Sequence, residues 1–155
     1  MPINREIAHA RTIAAGIHQG QLDGDGTPVL DRLAITAGLL DDFDDPVLSC
    51  AVWLHLVPRT VGLTARDLLR LGVSDDVTEL VMTLQPVGDE TDKTRVGRIC
   101  AVPDAALVEL AIRLVLSGGR VSPNSYETAL ARAAGGWGAL VMSRAAEHFS
   151  ASRGD

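Results

Sequence analysis

The sequence predicts an all-α protein, a helical bundle built around two buried central helices. Three observations carry that reading. Apolar residues recur at spacings of three and four along most of the chain, and no stretch alternates as a half-buried strand would. Residues 47 to 57 are apolar nearly all round, which suits a helix inside a core. Residues 104 to 116 carry Leu107, Val108, Leu110, Ala111, Leu114 and Val115, the pattern of a second central helix. With 155 residues, 46% of them hydrophobic, the chain can bury one core. No repeat, linker or low-complexity tract interrupts it, so a single domain over 1–150 with a frayed tail over 151–155 is expected.

The elements follow from start and stop signals. Asn4 is placed to cap a first helix with Ile7, Ala10, Ile13, Ala14 and Ile17 on one face and Gly20 as its left-handed stop. Thr27-Pro28 has the cap-then-proline order of a second start, with Leu30, Leu33, Ala34, Ala37 and Leu40 as its stripe. Asp45-Pro46 repeats the signal for the first central helix, stopped at Pro58. Thr64 with Asp67 imitates a capping box for 65–71, and Ser74 caps 75–84. Residues 87–94 read as loop and 96–102 as a weak helix. After the second central helix, Ser122-Pro123 marks a further start, and Gly135-Gly136 separates it from a last amphipathic stretch over 140–149.

Composition excludes several function classes. Fourteen basic residues against twenty acidic ones leave a net charge of -6, and Lys93 is the sole lysine, which argues against a nucleic-acid partner that needs a basic face. Aromatics at 3% are too few for a base-stacking platform. No apolar run is long enough to span a membrane and the start lacks a signal-peptide pattern, so no membrane is expected and the cytoplasm is the default. Cys50 and Cys100 lack metal or disulfide spacing and read as buried reduced thiols. The aspartates of 23–25 and 41–45 are not an EF-hand loop and read as solvated turns. Phosphate-loop, dinucleotide, serine-hydrolase and zincin motifs are absent.

Three stretches in order are more specific: His18-Gln19-Gly20-Gln21 followed by Gly26-Thr27-Pro28, then Ala51-Val52-Trp53-Leu54-His55, then Leu63-Thr64-Ala65-Arg66-Asp67-Leu68 running on through Gly72 and Val77 to Val81. With Val108-Glu109-Leu110-Ala111-Ile112-Arg113-Leu114, they resemble the HD domain of the RelA/SpoT type, over roughly residues 5 to 145. Those enzymes are metal-dependent hydrolases that remove pyrophosphate from guanosine tetra- and pentaphosphate. The resemblance implies a structural place for His18 in the turn after the first helix.

The same resemblance locates the departures. Where that family carries its first metal histidine, this chain has Arg32; the His-Asp pair becomes His55-Leu56; the acidic pair beyond it becomes Arg59-Thr60; and the last aspartate becomes Ile112. One imidazole beside arginines and aliphatic groups is a poor donor set for a divalent ion, so no metal and no other cofactor is expected, and metal-dependent phosphohydrolase activity is expected to be lost. Leu22-Asp23-Gly24-Asp25 also replaces the family's basic nucleotide-contacting patch.

The leading expectation is a degenerate, metal-free HD-domain protein, a pseudo-hydrolase that binds a small anionic molecule or a protein partner, with Arg32, Arg59 and His55 as ligand-binding residues. A homodimer stays open. Arginine suits carboxylate or phosphate through its forked donors, although Arg32 and Arg59 could instead pair with the acidic turn at Asp41 to Asp45. The alternative is a metal-independent enzyme in which His55 is the acid or base and Arg32 or Arg59 holds the anion. An active guanosine polyphosphate hydrolase is the third and weakest reading.

Overall fold

Side-chain caps begin five of the helices. Asp45 accepts a hydrogen bond from the Val47 amide at 3.0 Å and Pro46 sits in the first turn, where its missing N–H costs nothing. Thr64 and Asp67 form the reciprocal capping box, Thr64 accepting from the Asp67 amide and Asp67 from the Thr64 amide. Ser74, Thr91 and Ser125 each accept from the amide three residues on.

The computed structural model describes residues 2–152, and among these it contains ten α-helices and no extended strand. They are α1 Pro2–His18, α2 Val29–Gly38, α3 Pro46–Leu54, α4 Val57–Val61, α5 Ala65–Arg70, α6 Asp75–Leu84, α7 Asp92–Cys100, α8 Pro103–Leu116, α9 Tyr126–Ala134 and α10 Gly136–Ser152. A short 3-10 turn, Asp41–Phe43, precedes α3, and a lone antiparallel bridge pairs Leu22 with Pro28. The expected all-α architecture is present, and both expected central helices are there as α3 and α8. No helix among the described residues is long and apolar enough to cross a membrane.

Packing gathers the chain into two compact units, Met1–Gln85 and Pro86–Asp155. In the first, α3 is the hub: α1, α2 and α6 all pack on it, and Leu48 through Leu54 are buried without a break. Arg11 of α1 lies over the Trp53 ring at 5.2 Å, so a charged side chain covers the edge of this apolar helix. In the second unit α8 is the hub, flanked by α7, α9 and α10. There α9 and α10 approach so closely that a Cβ at Gly138 would lie 2.4 Å from the Ala131 carbonyl oxygen. Only glycine fits.

Several boundaries differ from the sequence reading. α1 begins at Pro2, so Asn4 is inside the helix rather than its cap. α2 begins at Val29 with Pro28 in the capping place and no side-chain cap, one residue later than Thr27-Pro28 implied. The first central helix ends at Leu54, not at Pro58, because the Pro58 ring would meet the Leu54 carbonyl; Pro58 instead stands in the first turn of α4. Thr91 starts α7 inside the expected loop. Ser122-Pro123 opens a turn, with Asn124 at φ 61, and Ser125 is the actual cap of α9. The last helix runs from Gly136 to Ser152, so Ala151 and Ser152 of the expected tail are helical. Residues 153–155 of that tail lie outside the described residues.

Candidate functional site

The turn that leaves α1 is built on His18. Its imidazole is 1% exposed, Nδ1 meets Gln21 Oε1 at 2.6 Å, and the Gln21 amide donates to the His18 carbonyl at 2.9 Å. Gly20 supplies φ 75 between them, a conformation few other residues accept. Because Gln21 Oε1 is only an acceptor, His18 Nδ1 is the donor in this bond. The other ring nitrogen, Nε2, is buried with no hydrogen-bond partner among the described residues.

The chain then loops back through 22–28. The Asp23 amide donates to the Thr27 carbonyl at 2.9 Å and the Val29 amide to the Gln21 carbonyl at 3.0 Å. Asp23 Oδ1 accepts from the amides of Asp25 and Thr27, the self-bonding habit that makes aspartate a turn former. The other carboxylate oxygens face α2, where Arg32 Nε donates to Asp23 Oδ2 and Nη2 to Asp25 Oδ2. Asp23 and Asp25, expected as solvated turn residues, are thus two partners of Arg32. The adjoining Asp23 side chain, then the Thr27 hydroxyl and amide, with Arg32's charge last, draw the Asp25 carboxyl down to about 2.

His55 caps the C-terminus of α3 and is buried. Its Nδ1 meets the Val52 carbonyl at 2.7 Å, which requires a proton on Nδ1 and leaves Nε2 the basic nitrogen. Gln85 holds the same corner, its Nε2 donating to the carbonyls of His55 at 2.8 Å and Val81 at 2.9 Å, so the ends of α3 and α6 are tied together. Nothing in the sequence pattern singled out Gln85. Leu56 is half-buried at the start of α4, and Arg59 is exposed in that helix. Arg32 and His55 therefore stand on two helices, α2 and α3, that pack together, while Arg59 lies just beyond on α4.

In the second unit Ile112 is half-buried on α8. The neighbouring Glu109 is the more consequential residue of that helix, and sequence reasoning missed it. It is nearly fully buried and receives both Arg95 (Nη1 3.0 Å, Nη2 2.7 Å) and Arg113 (Nε 2.8 Å), while Arg113 Nη2 continues to Asp92 at 2.8 Å. Burial works against the charged form of Arg113, but its bonds to Asp92 and Glu109 outweigh that and raise its pKa. Cys50 is buried and Cys100 half-buried, both as free thiols; burial, with Glu6 and Asp45 adding to it, pushes Cys50 up to about 12, far from nucleophilic. Among the described residues no group of three or more His, Cys, Asp or Glu is arranged to hold a metal ion.

With this geometry the chain has the all-α HD-domain fold of the RelA/SpoT type. A solved structure of a metazoan SpoT orthologue, described as hydrolysing ppGpp and acting in starvation responses, superposes with a TM-score of 0.69 over 96% of each chain at 18% identity. That likeness is one of fold. No family model matches the sequence, and no curated protein does.

Proposed function

We propose that the protein is a catalytically degenerate HD-fold protein that binds a small anionic molecule, or a protein partner presenting such a group, and does not hydrolyse it. The observation that supports this most is Arg32. In the position where the resemblance expects a metal-binding histidine, this chain carries a guanidinium that gathers two carboxylates around itself. A guanidinium there has no lone pair for a metal, and its forked donors would serve a carboxylate or phosphate ligand by exchange with the Asp23 and Asp25 carboxylates they now hold. Leu56 and Ile112 bring no lone pair to the positions where the resemblance expects aspartates, so the donors present do not fit the metal of the active family.

Arg59, exposed on α4, is the second proposed anion contact. The net charge of -6 speaks against nucleic acid as the partner, and the proposed setting is the cytoplasm, with one domain over 1–150 and self-association left to measurement. Calorimetric titration with inorganic pyrophosphate in metal-free buffer tests the reading. Binding that Arg32→Ala and Arg59→Ala each weaken while the helical circular dichroism is kept is the expected result. About one tightly held manganese, zinc or iron per chain after dialysis would overturn it.

A second reading rests on His55. A buried imidazole whose Nδ1 is fixed by a backbone carbonyl has the tautomer of a general base at Nε2. A metal-independent enzyme using His55 with Arg32 or Arg59 would show turnover that His55→Gln abolishes without weakening anion binding.

A further inference from the structure

The loop between α1 and α2 is held in shape by its own backbone. Leu22 bridges to Pro28, the Asp23 amide donates to the Thr27 carbonyl, and Gly26 turns the chain at φ 85. Asp23 Oδ1 accepts from the amides of Asp25 and Thr27, and Asp25 Oδ1 from that of Thr27. The Oδ2 atoms face α2, that of Asp23 meeting Arg32 Nε and that of Asp25 meeting Nη2. These two nitrogens flank one edge of the guanidinium. A single carboxylate or phosphate that binds arginine with both prongs puts its two oxygens on such an edge. Here the two oxygens come from two aspartates, so the loop occupies the edge as a bound anion would. From this we infer that residues 23–25 are a built-in competitor that closes Arg32, displaced when an external carboxylate or phosphate binds, a regulation that rests on the anion site proposed above.

The charges explain both the closure and its release. One guanidinium faces two carboxylates, so the closed edge carries negative charge in excess and turns further anions away. Each pair is partly in water, Asp25 more than Asp23, which keeps the cost of parting it small. An anion that brings both oxygens on one group replaces two mutually repelling carboxylates with one partner. The loop therefore lowers the affinity of the site without abolishing it.

Calorimetric titration of the full chain with inorganic pyrophosphate tests this, at about 0.15 M salt so that distant exposed charges are screened. Asn at 23 and 25 keeps the Oδ1 acceptor that shapes the turn and removes the charge that holds Arg32. The double variant Asp23→Asn, Asp25→Asn should bind pyrophosphate on the order of tenfold more tightly, up to about fivefold for each exposed pair removed. Asp31→Asn removes an exposed carboxylate next to Arg32 in the chain and should change binding less than about twofold. In an Arg32→Ala background the two Asn substitutions should bring no gain. If Arg32→Ala weakens binding but the double variant binds as the parent does, or Asp31→Asn gains as much as the double variant, the competitor role is overturned and the anion site stands. Pyrophosphate binding that is absent from the double variant, or indifferent there to Arg32→Ala, would overturn the site and the competitor together.

Discussion

Arg32 in the first unit and Arg113 in the second each gather two carboxylates, but in different surroundings. Around Arg32 the partners come from a surface loop, and Asp25 is 60% exposed. Around Arg113 the shared partner, Glu109, is 5% exposed and also takes both prongs of Arg95. The first arrangement can exchange its carboxylates for water or for another anion at small expense. The second has no such substitute, since a buried charge that loses its partner stays unsolvated. An arginine paired at a surface loop and an arginine locked into a core differ less in their contacts than in where those contacts can go when broken.

The largest predicted effect breaks the comparison at Glu109. Glu109→Ala leaves Arg95 and Arg113 side by side without their common carboxylate and should cost about 3–5 kcal/mol. Urea denaturation followed by circular dichroism reads it; a loss below about 1 kcal/mol would mean that this network is solvated like the loop of the first unit. Next comes Gly138→Ala, whose methyl would press on the Ala131 backbone and should cost about 1–3 kcal/mol in the same measurement. No change there would deny the close approach of α9 and α10.

A smaller effect is expected for the pair in the first unit. A double-mutant cycle on Arg32 and Asp23 should give a coupling of about 1 kcal/mol or less, because both side chains remain partly in water. A coupling of about 3 kcal/mol or more would place this pair in the same class as Glu109. The smallest is the acid response. Asp25, Asp67 and Glu90 have carboxyls below their ordinary values in the folded chain, so their contribution is present above the unfolded pKa and is lost as pH falls through the folded one, about 2 for Asp25. Stability measured from pH 5 to pH 2 should decline, and Asp25→Asn should flatten that decline. An unchanged profile in the variant would show that Asp25 is not engaged by Thr27 and Arg32.

The sequence displayed the frame because helices announce themselves locally. The capping box at Thr64, the cap at Ser74 and the Asp45-Pro46 start each involve residues within three positions, and all three stand as read. The HD-type fold was legible from the order of motifs that hold turns and cores, His18 through Val81. The misplaced boundaries have local causes too: a proline reads equally as a stop and as a start, which is why Pro58 and Pro123 misled in opposite ways. What the site does with Arg32 was not legible. Its partners lie nine and seven residues back across a turn, and no periodicity encodes that reach. Gln85 was equally hidden, since it acts on the His55 carbonyl thirty residues away. Glu109 was read only as one letter of a motif; its partner Arg113 is four residues on in the same helix, but Arg95 comes from α7, fourteen residues back.

Loss of hydrolytic chemistry from a retained helical frame is proposed above on Arg32, Leu56 and Ile112. Incubation of the purified protein with guanosine tetraphosphate and manganese, with pyrophosphate release followed against a buffer control, tests that most directly. Release no faster than in the control is the expected result. Turnover at about 1 per second or above, the ordinary range of enzymes, would contradict it and return Arg32, Leu56 and Ile112 to the status of tolerated substitutions in a working active site.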